Sequence, residues 1–419
     1  MDAASRPTGL DAAHDLAGGP EQPVRSLDAR LVRRLLQYLG NPPLEFHLGW
    51  TGERVVVPGS APAARVRIAN RATLLGILAD PKVRFGDAYS LGTVEVEGDL
   101  VDVVGVIYRS AAHGKRGALA RVMDNWRHRP RRNTLTDSRS NIHRHYDLGN
   151  DFYSLWLGRT MAYTCAYYPT ADATLDEAQV AKMDHVCRKL QLKSGDNVVE
   201  AGCGWGSLAL HMARRYGARV RAFNISREQV AFARERCREQ GLDGQVEFVE
   251  DDYRNISGGY DVFVSVGMLE HVGVENYQQL GRTARGAIGT EGRGLIHSIG
   301  RNHPAPLHPW IEQRIFPGAY PPAISEMMQI FEPTGLSVLD IENIRLHYAL
   351  TLRAWMSLYE RAVDKVRALF DDYFVRMWRL YLAGSIAAFE TGTLQLFQVL
   401  FTAEENNRIP LTREFMYPR

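Results

Sequence analysis

The chain has 419 residues, of which 45% are hydrophobic and 23% are charged. This composition is typical of a globular protein with a sizeable core, and the length favours two domains over one. Lys and Arg total 50 and Asp and Glu total 48, so the net charge of +2 excludes a strongly acidic or basic protein overall. No run of roughly 18 apolar residues occurs, so we expect no membrane-spanning helix.

Residues 1–27 are rich in Ala, Gly, Pro and Asp and lack the basic and apolar regions of a secretory signal. We therefore predict a disordered N-terminus and a cytoplasmic protein. The four cysteines form no Cys-x-x-Cys pair and lack metal-site spacing with His. This indicates reduced thiols and no metal site.

Residues 28–110 predict a small α+β accessory domain. Leucines recur at helical spacing from Leu31 to Leu39, and Gly-Asn-Pro-Pro at 40–43 ends this helix. No catalytic constellation stands out in this region. Short strands are predicted within 44–68, followed by a helix at 70–78, a strand at 89–98 and a helix at 100–108.

A basic linker is predicted at 111–137. Between His113 and His145, only Asp124 and Asp137 oppose a set of basic residues. The linker is either a solvated connection or a surface that attracts an anionic partner, and charge alone leaves nucleic acid and acidic phospholipid open. The basic residues are Lys115, Arg116, Arg121, Arg127, Arg129, Arg131, Arg132, Arg139 and Arg144.

Residues 138–419 alternate short apolar strands with amphipathic helices, which predicts an α/β, Rossmann-like fold with a parallel sheet and helices on both faces. A segment rich in Pro and aromatic residues predicts a cap inserted at about 301–335, and aromatic helices follow. Ligands of such sheets bind beyond the carboxyl ends of the strands. The predicted strands are 197–201, 219–224, 246–250, 261–266 and 294–299, and the predicted helices are 175–190, 207–216, 227–240 and 277–288.

The turn after the first of these strands is the most informative motif. Glu200 ends the strand, Gly202, Gly204 and Gly206 form the turn, and an amphipathic helix follows at once. Glycines permit a positive φ and a close approach of a ligand, and the helix start offers free N–H groups. The Glu-x-Gly-x-Gly-x-Gly spacing is more compact than Gly-x-Gly-x-x-Gly, which favours S-adenosylmethionine over a dinucleotide.

Seven ordered motifs from about residue 138 to the C-terminus resemble the cyclopropane-fatty-acid synthase family of S-adenosylmethionine-dependent methyltransferases, which includes the mycolic acid cyclopropane synthases. The resemblance implies a class I methyltransferase fold with a seven-stranded, mostly parallel sheet behind the small accessory domain. Residues 28–110 resemble the accessory domain of the longer bacterial members, which implies a lipid-docking domain with the basic linker near the phospholipid headgroups. The motifs are His145 to Asn150, Tyr163 to Tyr167, Glu200 to Gly206, Glu270 to Gly273, His297 to Ile299, Ile315 to Gly318 and His347 to Leu352.

The resemblance implies transfer of a methyl group from S-adenosylmethionine to a cis double bond of a lipid acyl chain. It also implies a bound bicarbonate ion that takes a proton. From the sequence pattern alone, without the resemblance, we would interpret His297 as a core histidine with its hydrogen bonds satisfied and Cys165 as a small buried hydrophobic residue. Glu270, at the carboxyl end of an apolar strand, indicates function on its own. The bicarbonate ligands that the resemblance implies are Cys165, Glu270, His297, Ile299 and Tyr348.

The resemblance assigns the cofactor site in the same way. The three glycines would meet the methionine and ribose end, with Glu200 in place of the more common Asp, and Tyr146, Tyr163 and Thr164 would close over it. The family has Thr-Leu-Ser-x-x-Gln after the second strand, where this chain has Asn224, Ser226 and Gln229. Asp252 and Tyr253 stand where the family contacts adenine.

The chemistry adds its own demands, because attack by an alkene leaves a carbocation that water must not reach. Aromatic faces stabilise such a cation. Tyr146, Tyr163, Trp310, Phe316 and Tyr348 are candidates by motif or by their place in the cap.

Five functional readings stand beside one another. The leading one is cyclopropane formation on unsaturated phospholipid acyl chains, by a homodimer peripherally associated with the inner face of the membrane. The same first step can end in a methylene- or methyl-branched chain. A third is methylation of a polar acceptor, a reaction that would not need the predicted anion site. A fourth is a non-catalytic lipid-binding protein, in which we would expect substitutions in the glycine-rich turn or at the anion-site residues; the sequence shows none. A nucleic-acid methyltransferase predicts an Asn/Asp-Pro-Pro-Tyr/Phe motif, which is absent, so we expect no nucleic-acid partner.

Overall fold

The computed structural model describes residues 26–113 and 148–417. The predicted disordered N-terminus, apart from its last two residues, lies outside the described residues. So do nearly all of the basic linker and Tyr146. Within the described ranges, no helix is both long enough and apolar enough to cross a bilayer.

The N-terminal region folds around a four-stranded sheet with the order β2-β1-β3-β4. Strand β1 pairs in parallel with β3, while β2 and β4 run antiparallel to their neighbours. Val66 and Ile68 alternate with exposed or half-exposed residues, so one face of β3 is buried against the helices. The elements are α1 (Leu27–Tyr38), β1 (Leu44–Leu48), β2 (Arg54–Val55), β3 (Ala64–Ile68), α2 (Arg71–Ala79), α3 (Pro81–Ser90), β4 (Val94–Glu97) and α4 (Leu100–His113).

The strand predicted at 89–98 is wrong in its first half, because α3 continues to Ser90 and β4 begins only at Val94. The helix has a strong start that the prediction overlooked. Pro81 stands in its first turn, and the side chain of Asp80 accepts a hydrogen bond from the N–H of Val83.

Residues 148–417, hereafter the C-terminal or catalytic region after the prediction from its motifs, contain a seven-stranded sheet with the order β10-β11-β9-β8-β5-β6-β7. Strands β5 to β9 are parallel, and β11 runs antiparallel to both of its neighbours. The predicted fold class is confirmed. The elements are α5 (Asn150–Ser154), α6 (Leu175–Lys189), β5 (Asn197–Ala201), α7 (Ser207–Tyr216), β6 (Arg219–Asn224), α8 (Arg227–Glu239), β7 (Val246–Glu250), β8 (Val262–Val266), α9 (Tyr277–Ile288), β9 (Arg293–Gly300), α10 (Pro309–Arg314), α11 (Ile324–Phe331), β10 (Leu336–Asn343), α12 (Arg345–Arg361), α13 (Val363–Leu369), α14 (Asp372–Glu390) and β11 (Gln395–Ala403).

The two regions are joined by charged hydrogen bonds as well as by a continuous apolar core. Arg376 of α14 donates to the backbone carbonyls of Tyr89 and Val94 at 2.6 and 3.0 Å. Arg314 of the cap helix α10 donates twice to the Asp87 carboxylate of α3, both times at 2.9 Å. Because bidentate Arg–carboxylate pairs fix direction as well as distance, the cap has a defined position over the N-terminal region.

Candidate active site

The glycine-rich turn has the backbone that its sequence predicts. Gly202, Gly204 and Gly206 have φ values of 85°, 54° and 80°, in the left-handed region that favours glycine. A Cβ atom at Gly206 would lie 2.6 Å from the ring of Phe248, so packing also requires glycine there. A Cβ atom at Gly204 would meet nothing within 4 Å, so Gly204 faces open space where a ligand can approach.

A cavity of about 110 Å³ lies beyond the carboxyl ends of β5, β6 and β8. Ser226 and Gly206 do not line it: the Ser226 side chain caps α8, and Gly206 packs against Phe248. Asp252 and Tyr253 do not line it either: Asp252 pairs with Arg254 at 3.0 Å, and that guanidinium lies over the Tyr253 ring. The predicted cofactor residues on its wall are Tyr163, Thr164, Glu200, Gly202, Gly204, Asn224 and Gln229.

Asn224 holds this cavity in shape. Its amide nitrogen donates to the carbonyl of Gly204 at 3.2 Å and to Gln229 at 2.8 Å, and its oxygen accepts from the N–H of Ser226. The side chain therefore ties the glycine-rich turn to the start of α8. The Gln229 amide nitrogen is buried without a partner among the described residues, which leaves a donor at the cavity.

Lys182 is a residue of this cavity that the sequence analysis missed. It is 2% exposed, and its Nζ donates to the Thr164 hydroxyl at 3.0 Å. Burial lowers the pKa of Lys182 to about 8, against the effect of Glu200, and burial raises the pKa of Glu200 to about 8, against that of Lys182. A signal existed: Lys182 stands on α6 between Ala178 and Val186, at the spacing of a buried helix face.

Glu200 completes the polar wall. Its carboxyl group is 2% exposed, and Oε2 has no hydrogen-bond partner within the described ranges. A buried carboxylate oxygen without a donor is costly, so the cavity favours a ligand that brings an N–H group to this point. Lys182 offers the opposite charge across the same cavity.

A second, largely apolar cavity of about 420 Å³ adjoins the first. Tyr163, Thr164, Gly267 and His271 line both cavities, so a ligand in one can reach a ligand in the other. Sequence analysis missed His271 as a wall residue, although it stands in the Glu270 motif. The structure places all five residues predicted to hold the anion on this second cavity: Cys165, Glu270, His297, Ile299 and Tyr348.

Glu270 presents one satisfied and one unsatisfied oxygen. Oε1 accepts a hydrogen bond from the backbone N–H of Ile299 at 2.6 Å, whereas Oε2 is buried with no partner in the described part of the chain. Burial raises the pKa of Glu270 to about 7. The N–H of Ile299 is thus engaged by Glu270, so Ile299 positions the carboxyl group.

His297 is neutral, and its ring nitrogen Nε2 carries the proton. Burial lowers its pKa to about 3, and the nearby Lys182 and Lys189 charges add to this effect. The amide nitrogen of Gln398 lies 3.1 Å from Nδ1 and donates to it, so the remaining ring proton is on Nε2. Nε2 is buried and meets no acceptor among the residues described.

Cys165 and Tyr348 complete the set. The Cys165 thiol donates to the Ala166 carbonyl at 3.1 Å, and burial raises its pKa far above the usual range, so it is not a thiolate nucleophile. The Tyr348 ring lies against Phe389, with 4.5 Å between the ring centroids.

Four of the five predicted aromatic candidates line the second cavity, and the fifth, Tyr146, lies outside the described residues. The four are Tyr163, Trp310, Phe316 and Tyr348. The hydroxyl groups of Tyr163 and Tyr381 are 2.8 Å apart, and the Phe316 ring meets Tyr381 edge-on at 5.5 Å. These contacts fix the orientation of the rings.

Comparison with known proteins agrees with this geometry. The model of the mycolic acid cyclopropane synthetase family matches residues 133–399, which is more than half of the chain. The chain belongs to this family.

Relatives of the family are similar over different lengths. A probable fatty acid methyltransferase of Pseudomonas putida is 37% identical over 390 residues, covering 90% of this chain and 96% of its own. The cyclopropane-fatty-acyl-phospholipid synthase of Escherichia coli is 39% identical over 270 residues, covering 64% and 69%. A crystal structure of a mycolic acid cyclopropane synthase complexed with SAH and CTAB aligns with TM-score 0.60 and 27% identity, covering 63% of this chain and 97% of that one.

The family membership makes the chain an S-adenosylmethionine-dependent methyltransferase that acts on lipids. One feature lies outside the matched segment. Residues of the N-terminal region, among them Phe46, Val66 and Ile77, line the second cavity together with the five residues predicted to hold the anion. Sequence analysis found no functional residue in that region, because these side chains are ordinary core residues in the sequence.

Proposed function

We propose that this methyltransferase adds a methylene group from S-adenosylmethionine to the cis double bond of unsaturated phospholipid acyl chains, forming cyclopropane fatty acids. The observation that supports this most directly is the pair of adjoining cavities. One is small and polar beside the glycine-rich turn, and the other is large and apolar with an orphaned polar pair, Glu270 and His297. An apolar acceptor in the second cavity needs no polar group for its own recognition.

The amino-acid end of S-adenosylmethionine fits the small cavity. Bound there, the cofactor supplies an electrophilic methyl group. Glu200 would accept from the methionyl ammonium, and Lys182 would pair with the methionyl carboxylate, so the two charges of the ligand would favour the charged forms of both side chains. The open backbone at Gly204 admits the ligand closely, and the orphaned amide of Gln229 offers a further hydrogen bond.

Bicarbonate fits the polar pair of the large cavity. A protonated Glu270 donates from Oε2 and a neutral His297 donates from Nε2, so both orphaned groups would be satisfied by one small anion. When bound, the anion supplies a proton acceptor inside an apolar site. Cys165 and Tyr348 stand on the same wall.

The protein's own residues would protect the reacting acyl chain. Its alkene electrons would form the new carbon–carbon bond to the methyl carbon while the sulfur–methyl bond breaks, S-adenosylhomocysteine would leave with that electron pair, and the acyl chain would be left with a positive charge. The faces of Tyr163, Phe316 and Tyr348 stabilise that charge without bonding to it. Loss of a proton from the added carbon lets that C–H electron pair close the ring, and the apolar wall keeps water away meanwhile.

A second ending of the same first step gives a methylene- or methyl-branched chain, if a hydride shifts along the acyl chain before the proton leaves. The names of two relatives support this second product as an alternative. The Pseudomonas putida relative is a probable fatty acid methyltransferase, and a tuberculostearic acid methyltransferase of Mycobacterium tuberculosis is 37% identical over 275 residues.

A phospholipid acceptor also requires contact with a bilayer surface. We propose peripheral association with anionic phospholipid and a homodimer, as the family resemblance implies. Retention of the protein on phosphatidylglycerol vesicles in a flotation assay, and a dimeric mass by light scattering, are the expected results. A monomeric mass would remove the dimer, and protein left unbound by the vesicles would remove the membrane association.

The acceptor class is tested by the dependence of S-adenosylhomocysteine release on the lipid. We expect release with vesicles of cis-monounsaturated phosphatidylglycerol and none with saturated vesicles of the same headgroup. Equal release from both would show that the acceptor is not the alkene and would overturn the roles of Glu270 and His297.

A further inference from the structure

We propose that the N-terminal region is an acyl-binding wall that sets the position of the double bond relative to the reaction centre. This inference rests on the proposed function, because it assigns part of the same acyl cavity. It gives the region from Leu27 to His113 a direct part in substrate selection.

The wall is formed by the buried face of the N-terminal sheet and the helix beside it. Phe46 on β1 and Val66 on β3 are paired in register, so their side chains lie side by side on one face. Both line the acyl cavity, as do Leu35 of α1 and Ile77 of α2. Their exposed fractions are 4% or less, so these side chains belong to the core of the region and to the cavity at once.

The chemistry of this wall suits hydrocarbon. Leu35, Phe46, Val66 and Ile77 carry no polar side-chain atom, and burying a polar group against them would leave it without a partner. Because the acyl chain comes from the hydrocarbon of a bilayer, selection depends on fit: a chain too long for the space between the wall and the reaction centre is excluded by overpacking. A few carbons more or less on one side of the double bond therefore suffice to select among acyl chains.

The wall is held at a fixed distance from the reaction centre. Trp310 of the cap lines the cavity and lies so close to α3 that a Cβ atom at Gly86 would be 2.5 Å from its Nε1. The neighbouring residue Asp87 binds Arg314 of the same cap helix. Since the cap and the anion-site residues share one cavity, these contacts connect the wall to the site of reaction.

The wall also lies outside the segment that the family shares. The family match begins at residue 133, and the solved mycolic acid cyclopropane synthases cover 63% of this chain. The Pseudomonas putida relative covers 90% of it. A specificity device in the N-terminal region would thus be absent from the shorter proteins.

Helix α2 offers a matched pair of positions for the test. Ile77 and Leu74 are one turn apart and at most 2% exposed, but only Ile77 lines the cavity. Ile77→Phe narrows the cavity and Ile77→Ala widens it. Leu74→Phe and Leu74→Ala are the controls, because they change the same hydrophobic core at a position that does not line the cavity. The wild type and four variants are given mixed vesicles, and the ratio of methylated products is measured by mass spectrometry. A ratio within one reaction is independent of the active fraction of the enzyme.

Two lipid series separate the two sides of the double bond. Myristoleoyl, palmitoleoyl and oleoyl phosphatidylglycerol differ only beyond the double bond, toward the methyl end. Petroselinoyl, oleoyl and cis-vaccenoyl phosphatidylglycerol have equal length but differ in double-bond position. We expect Ile77→Phe to change the product ratio about tenfold in at least one series, Ile77→Ala to change it in the opposite direction, and both Leu74 variants to leave it unchanged. Unchanged ratios in both series for the Ile77 variants would overturn the proposal.

A second measurement does not depend on turnover. Phosphatidylglycerol with a diazirine near the methyl end or near the carboxyl end of one acyl chain is bound and photolysed, and the labelled peptides are identified. Labelling of residues 27–113 by one of the two probes supports the wall. Labelling confined to the catalytic region with both probes contradicts it, whether or not the enzyme forms a ring. Absence of methylated product with any lipid would instead remove the proposed function.

Discussion

The carboxyl group of Glu270 accepts a hydrogen bond from the backbone N–H of Ile299 at 2.6 Å, and its other oxygen is buried with no hydrogen-bond partner in residues 26–113 and 148–417. The hydrogen bond from Ile299, near the end of β9, fixes Oε1. Because the carboxyl group is rigid, it also fixes the position of Oε2 at the cavity. When the Glu270 carboxyl group carries a proton on Oε2, this arrangement makes it a hydrogen-bond donor with a fixed position. Burial raises the pKa of Glu270 to about 7, so about half of the molecules carry this proton at pH 7 and nearly all of them carry it at lower pH.

This pKa predicts a pH dependence of stability. The unfolded carboxyl group has a pKa near 4.3, so between about pH 4 and pH 7 the folded protein binds a proton that the unfolded chain does not. Stability from this group is therefore present at low pH and lost as the pH rises through 7. Relative to Glu270→Gln, wild type should lose up to about 3 kcal/mol of unfolding free energy between pH 4 and pH 8. Urea unfolding of both proteins measures it, and parallel pH profiles would exclude the raised pKa.

We expect substitution of His297 to lower the rate of turnover and to leave the affinity for the cofactor unchanged. His297→Phe keeps a ring in the cavity but removes the Nε2 donor that would hold the anion, and loss of one positioned donor typically costs about 100-fold or more in rate. We expect kcat to fall by that factor while the Kd for S-adenosylhomocysteine, measured by calorimetry, stays within about twofold. A kcat close to wild type would show that the orphaned Nε2 has no part in the reaction.

Lys182 should bind the amino-acid end of the cofactor. Lys182→Met removes the charge and keeps much of the volume, and a lost hydrogen bond to a charged group costs about tenfold to 100-fold in affinity. The Kd for S-adenosylhomocysteine should rise accordingly. The Kd for 5′-methylthioadenosine, which lacks the amino-acid end, should not change, and Lys182→Arg should restore part of the affinity. Equal losses for both ligands would mean that Lys182 only supports the fold through Thr164.

The Asp87–Arg314 pair should couple the N-terminal region to the cap. Asp87→Arg and Arg314→Asp each leave like charges facing one another, whereas the double exchange restores opposite charges. We expect each single variant to lower kcat/KM and the double variant to recover, with a coupling free energy of about 1 kcal/mol in a double-mutant cycle. The surface pair Arg408 and Glu291, exchanged in the same way, is the control. Additive effects of the Asp87 and Arg314 variants would show that the pair does not act as a unit.

The periodicity of the sequence was sufficient for the parallel part of the sheet, where short apolar strands alternate with amphipathic helices. It did not predict β10 or β11. Strand β11 is buried at all nine positions, including Gln395 and Gln398, so it shows neither alternation nor a purely apolar run. Its partner β10 is only partly buried along its length, which weakens any pattern.

The motifs likewise led to most of the two cavities, because strand ends that are distant in sequence meet at one edge of a sheet. Asp252 and Tyr253 were placed by analogy alone, and the structure shows them engaged with Arg254 beside the cavity. The part played by Ile77 and Val66 could not be read from the sequence. An apolar side chain that lines a cavity has the same pattern as one that fills a core, and only the docking of the two regions distinguishes them.

The most direct test of the central claim is the identity of the lipid product. Purified protein is incubated with S-adenosylmethionine and vesicles of palmitoleoyl phosphatidylglycerol, and the released fatty acid esters are analysed by mass spectrometry and NMR. We predict a chain heavier by one methylene group, with the proton signals of a cyclopropane ring and no remaining alkene signal. A methylene- or methyl-branched chain would contradict ring closure but keep the site, and an unmodified acyl chain despite measured cofactor binding would contradict the account as a whole.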